Sequence, residues 1–209
     1  MSGHIYTRTG DAGATTHPGG GRVPKTHPHI ELVGALDEFN AHLGLCAAQL
    51  AALSVPALEP VRETLLGAQR YLFGMTASLF REPTAADAPP APGATWPEVA
   101  GLERKMDGMD AVLAPLTSFI LPGGRLASAE VHVARAVCRR AERALASCRP
   151  DPVPVTWTRA QAFLNRFGDY LFVAARAVNH AIGEADVHLT ECEGCGTTSA
   201  DEGESTLAP

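Results

Sequence analysis

The chain has no apolar run of the roughly 20 residues that a bilayer-spanning helix needs, so no membrane span is expected. Its first residues, MSGHIYTRTGDAG, lack the apolar centre of a secretory signal. Asp11 also sets them apart from an Arg- and Ser-rich transit peptide, so the cytoplasm is the expected compartment. Positive charge is scarce: 17 Lys and Arg stand against 23 Asp and Glu, a net −6. That balance argues against a nucleic-acid binder, whose affinity rests on many cation–phosphate contacts. It leaves room for one phosphate-bearing small molecule, because a local group of arginines overrides the average. The five cysteines are odd in number and follow no signal, so reduced thiols are expected. Internal repeats and long strand alternation are missing too, which removes solenoids and large sheets from consideration.

What is present is an ordinary globular composition, 45% hydrophobic and 19% charged over 209 residues, enough for one domain with a substantial core. Residues 1–29 are rich in Gly, Thr, Pro and His without helical periodicity, and read as a loop that is ordered or becomes ordered on binding. From Ile30 the pattern changes. Val33, Leu36, Asn40, Leu43 and Ala47 recur at helical spacing, predicting a helix over 30–54 before Pro56. Further helices are predicted over 57–81, 98–114, 126–148 and from Pro154 to about 182, where Gly183 stops the last. The Pro- and Ala-rich stretch 83–97 reads as a mobile connection, and SFILP (118–122) as a short extended segment. The fold expected is all-α: a five-helix bundle over 30–183, with an acidic, mobile tail over 184–209.

Four segments carry chemistry. In Thr7–Thr16 (TRTGDAGATT), glycines free backbone N–H groups to approach an anion, and threonine hydroxyls add donors. Arg22 and Lys25 follow at a distance that closes over the same phosphates; a plain flexible terminus is the competing reading. Gly19–Thr26 imitates a Walker A loop, but Pro24 stands where its second glycine belongs, so a P-loop fold is rejected. In the fourth helix Arg135, Arg139, Glu142 and Arg143 fall at i, i+4, i+7 and i+8. Three guanidinium groups on one face repel one another unless anions answer them, the competing reading being a solvated basic face. On the fifth helix Asn165, Asp169 and Arg176 share nearly one face. In the first, Asp37-Glu38 interrupts an apolar stripe, and a carboxylate buried there would need a cationic partner from the fourth helix.

Taken together and in order, TRTGDAG, RVPK, LDEFN, FILPGG, HVARAVCRRAER and NRFGDYLF resemble the PduO-type ATP:cob(I)alamin adenosyltransferases over residues 5–183. Leu36, His17-Pro18 and Gly168 depart from the family pattern, without removing a charged group. The resemblance implies transfer of the 5′-deoxyadenosyl group of ATP to the cobalt of cob(I)alamin, with a non-catalytic corrinoid carrier as the alternative. It implies a homotrimer with active sites between subunits, Mg²⁺ with the phosphates, a flavoprotein reductase as electron donor and an adenosylcobalamin-dependent mutase as recipient. ATP would be held by Thr7, Arg8, Thr9, Gly10, Asp11, Gly13, Thr15, Thr16, Arg22 and Lys25 of the N-terminal loop. Arg139, Arg140, Glu142 and Arg143 of the fourth helix and Asn165 of the fifth would complete that site. Asp37 and Arg135 would pair across a subunit boundary, and Phe119, Asp169 and Phe172 would meet the corrin. Beyond that pattern lie His188, Cys192 and Cys195 (HLTECEGC): half a zinc site, a redox pair or a corrinoid ligand by type, and an ordinary mobile tail by context.

Overall fold

Prolines set the helix boundaries in the computed structural model, which describes residues 6–80 and 99–189. Pro28 occupies the first turn of α1 (Pro28–Leu53), where a missing N–H costs nothing, and the His27 side chain caps the turn by accepting from the His29 amide. That cap starts the helix two residues earlier than the apolar pattern suggests. A 3₁₀ turn at Pro56–Leu58 leads into α2 (Glu59–Leu79), followed by α3 (Val99–Asp110), α4 (Leu126–Ser147) and α5 (Val155–Ala181). The five expected helices are all there. The third is shorter than expected: after Ala111 N–H bonds Asp107 the chain makes turn hydrogen bonds, Val112 N–H to Met109 and Leu113 N–H to Asp110.

Helix α4 packs antiparallel against both α1 and α5, α2 lies along α1, and α3 covers α5. The direction is visible in cross-links: Gln49 reaches Glu130 while Glu38 pairs with Arg140, and Ser128 donates to the Ala175 carbonyl while Cys138 meets that of Leu164. Alanines and a cysteine on α4 (Ala134, Cys138, Ala141) are fully buried, so α5 approaches closely. The rest of the core is built of larger groups, Phe39 and Leu43 of α1, Leu65 and Leu72 of α2, and Phe163, Phe167 and Tyr170 of α5. Each fully buried side chain of that size contributes about 1.5–3 kcal/mol. Tyr71, Phe163, Phe167 and Phe39 form a chain of ring contacts with centroids 4.5–6.0 Å apart. Cys46 and Cys138 are packing residues, and burial pushes the Cys46 thiol up to about 12.

Two features correct the sequence reading. The N-terminal segment, expected as a loop, carries a small antiparallel hairpin, β1 (Ala14–Thr16) with β2 (Arg22–Pro24), closed through Gly20 and Gly21 at positive φ. Three-residue strands are too short to show alternation. The start of the tail, expected to be mobile, is held: Ile120 bridges His188, with hydrogen bonds from Leu121 N–H to Val187 and Leu189 N–H to Phe119. Residues 83–97 and 190–209, including Cys192 and Cys195, lie outside the described residues. His188 bonds Ser118 at 2.9 Å.

Candidate functional site

The N-terminal loop is braced by its own cation. Arg22 donates to the carbonyls of Thr9 (2.5 Å) and Ala14 (3.0 Å), and Lys25 N–H donates to Gly13. Thr7 and Thr9 share a hydrogen bond at 2.9 Å, and the Lys25 ammonium lies over Gly10, 3.5 Å from where a Cβ would stand. Arg22 therefore shapes the loop, while Lys25 is the ammonium beside the Gly10 turn. Thr7, Arg8, Thr9, Asp11, Gly13, Thr16 and Lys25 are exposed, and Thr15 is half-buried on the hairpin.

On α4 the arginines divide. Arg139 and Arg143 are exposed, free to meet an anion. Arg140 pairs with Glu38 and so ties α4 to α1. Arg135 is half-buried, its guanidinium 6.0 Å from the Phe172 ring centre and its Nε buried without an acceptor. Burial, then the neighbouring charge of Arg139, lowers its pKa. Beside it His132 is 4% exposed with Nδ1 unpartnered, and burial lowers its pKa too. Glu142 Oε1 accepts from both Gln161 (3.2 Å) and Asn165 (3.0 Å). Spacing along α5 places Gln161 one turn before Asn165 and could have announced this second amide.

Other expected residues separate. Asp169 accepts from Arg166 at 2.7 Å. Arg176 is 5% exposed and points elsewhere, to Asp186 (2.7 Å) and the Ala114 carbonyl (2.6 Å), so it is a clamp between α5 and the segments beside it. Asp37, read as a buried carboxylate, is exposed and makes no ion pair within the chain among the described residues. Phe119 is 84% exposed on the extended segment that bridges to 187–189. The link from Phe119 to α4 runs through Gly123-Gly124, where Asn179 accepts from Arg125 N–H and Ser128 donates to Gly123 O. Neither Asn179 nor Ser128 carried a signal in the sequence. Among the described residues no hydrogen bond or ion pair joins Arg139, Glu142 or Arg143 to the N-terminal loop.

Fold and exposed cationic face define a helical bundle equipped for an anionic ligand. The family model described as Cobalamin adenosyltransferase matches residues 5–178, so the chain belongs to the cobalamin adenosyltransferase family. It is 40% identical over 187 residues to the Cobalamin adenosyltransferase of Cupriavidus metallidurans, covering 88% of this chain and 92% of that one. Identity is also 40% over 177 residues to the Corrinoid adenosyltransferase PduO of Citrobacter freundii, covering 84% of this chain but 50% of that relative. Among solved structures, it is similar to a variant of the PduO-type ATP:corrinoid adenosyltransferase from Lactobacillus reuteri complexed with cobalamin and ATP. The TM-score is 0.75 at 28% identity, with 88% of this chain and 98% of that one covered.

Proposed function

We propose that the chain transfers the 5′-deoxyadenosyl group of ATP to cob(I)alamin at a site assembled between the subunits of a homotrimer in the cytoplasm. The observation that carries this reading is the open face of α4 and α5. Arg139 and Arg143 are exposed beside a carboxylate, Glu142, that already orients Asn165. Family membership supplies the reaction. In it the electron pair of Co(I) attacks C5′ of the ribose, the Co–C bond forms, and the C5′–O bond breaks with its electrons leaving on triphosphate. No general base is needed. The protein's tasks are to hold C5′ over cobalt and to stabilise charge on the leaving group.

Lys25 and the Gly10 turn would receive the triphosphate, with Arg139 and Arg143 contributed by a neighbouring subunit. Asn165, fixed by Glu142, would bind the nucleoside. The corrin would lie against Phe119, whose ring keeps a lower axial ligand off cobalt and so eases reduction to Co(I), with Asp169 and Phe172 nearby. Among the described residues Arg135 and Asp37 form no ion pair, which suits a pair formed across the boundary. Mg²⁺ takes most of its ligands from phosphates and water, and Glu142, between Arg139 and Arg143 in the α4 sequence, would be the carboxylate to accompany it. When bound, the ion neutralises triphosphate charge. The electron donor would be a flavoprotein reductase, and the product would pass to an adenosylcobalamin-dependent mutase.

The test is hydroxocobalamin under reduction with ATP, followed by the visible spectrum and by the phosphate product. Adenosylcobalamin and intact triphosphate are expected, and Arg139→Ala should abolish turnover with the helical circular dichroism retained. Binding of adenosylcobalamin with no ATP consumed would refute the reading and leave a carrier. Orthophosphate in place of triphosphate would refute it as well.

A further inference from the structure

We propose that His17, His27 and His29 form a site for a divalent transition-metal ion of the zinc class, clasping the N-terminal hairpin to the first turn of α1. One ligand nitrogen from each ring lies within 4.8 Å of the other two. His17 Nε2 and His29 Nδ1 are 2.8 Å apart, and the ring centres are separated by 5.0–5.5 Å. A tetrahedral ion with bonds of about 2.0–2.1 Å holds its nitrogens roughly 3.3 Å apart, so small side-chain rotations complete the set. All three residues are half-buried, and Phe80 and Trp157 pack on the cluster, with centroids 5.1 and 6.0 Å from His29. Three imidazoles without a carboxylate select zinc-like ions over Mg²⁺ or Ca²⁺. The fourth position would hold water.

The surroundings suit loading. Phe80 also faces His17, its ring centre 5.5 Å away, so aromatic walls limit how far the His17 and His29 rings can turn. At present His17 Nδ1 accepts from Gly19 N–H and His27 Nδ1 from His29 N–H. With the ion on Nε2 of either ring, that ring's proton moves to Nδ1. The exposed Gly19 amide then turns to water, and the ion takes over from the His17–His29 hydrogen bond in tying hairpin to helix. Sequence gave no warning, because the three histidines are spread over thirteen positions of a loop with no metal-binding spacing.

The experiment uses the full chain, without an affinity tag and carrying Cys192→Ser and Cys195→Ser, so that tail thiols contribute nothing. After chelator treatment it is titrated with Zn²⁺ against a chromophoric chelator, and separately with Co²⁺. The expected result is one equivalent per chain. Bound Co²⁺ should show the visible bands of four- or five-coordination without thiolate charge transfer. His29→Ala or His17→Ala should weaken binding at least tenfold. Metal content is read without turnover, so failure here leaves the proposed reaction untouched. Sub-stoichiometric binding, or affinity unchanged in both variants, overturns the site and leaves a hydrogen-bonded triad only. If a variant does not fold, the Co²⁺ spectrum of the parent decides alone.

Discussion

Gly124 connects the Phe119 segment to α4 at φ +91°, where a Cβ would lie 2.4 Å from both Nδ2 and Oδ1 of Asn179. Gly124→Ala therefore carries two separable costs. Holding a side chain in that backbone region costs about 1–2 kcal/mol. Displacing Asn179, a buried amide that accepts from Arg125 N–H at 3.3 Å and donates to Gly123 at 3.4 Å, leaves buried polar groups unpaired at about 1–3 kcal/mol. The sum is about 2–5 kcal/mol. In an Asn179→Ala background the collision is gone, so Gly124→Ala should cost only the backbone part. The coupling between the two sites should be about 1–3 kcal/mol. Urea denaturation of the four proteins, at one fixed protein concentration because subunit assembly adds to apparent stability, measures the cycle. Additive effects, or a Gly124→Ala cost below about 0.5 kcal/mol, would refute the reasoning.

Phe119→Ala removes an exposed ring, so stability should hold within about 0.5 kcal/mol, while adenosylcobalamin formation from cob(II)alamin falls more than tenfold and the KM for ATP stays put. Unchanged turnover would remove Phe119 from the corrin site. His132 is faced by Arg135, Phe172 and Asp186, and its folded pKa is below 6.5 through burial and Arg135. The unfolded chain thus binds a proton that the fold rejects, so stability present above about pH 6.5 is lost as pH falls towards the folded value. His132→Gln should flatten the acid limb of a Tm profile taken between about pH 7.5 and 5.5, and parallel profiles would contradict the assignment. Gly168 is a buried helix glycine whose added Cβ meets Arg139 Cγ at an ordinary 3.8 Å, so Gly168→Ala should stabilise by about 0.5–1 kcal/mol, read as a rise in Tm. A loss would show α4 and α5 to be closer than the contact indicates.

The helices were legible because their apolar stripes are long and several ends are marked, by Pro56, Pro154 and Gly183. Arg135, Arg139, Glu142 and Arg143 were legible as a stripe for the same reason: periodicity fixes a face. It does not fix what that face meets. Arg140 is one residue from Arg139 yet is drawn to Glu38, and Arg176 shares the register of Asn165 and Asp169 yet is buried against Asp186. Those outcomes depend on which neighbouring helix supplies a carboxylate at the right height. Short-range hairpins and loop-to-tail bridges, such as Ile120 with His188, involve too few residues to leave a pattern.

Exposure on the single chain also bears on why the site should need a neighbour. A bundle gains nothing by displaying Phe119 to water, or by exposing Arg139 and Arg143 one turn apart, since like charges at this spacing destabilise a helix. Arg135 is worse placed still, half-buried with an unpartnered Nε while Asp37, the acid expected to answer it, stands exposed on α1 of the same chain. A folded core that leaves these costs unmet is arranged for something that meets them. The acid, the cation and the ring lie on separate elements with no hydrogen bond or ion pair among them, so one small ligand cannot meet all three demands. A second copy of the chain with a polyphosphate and a corrin between the two can, which is the physical ground for proposing a site between subunits.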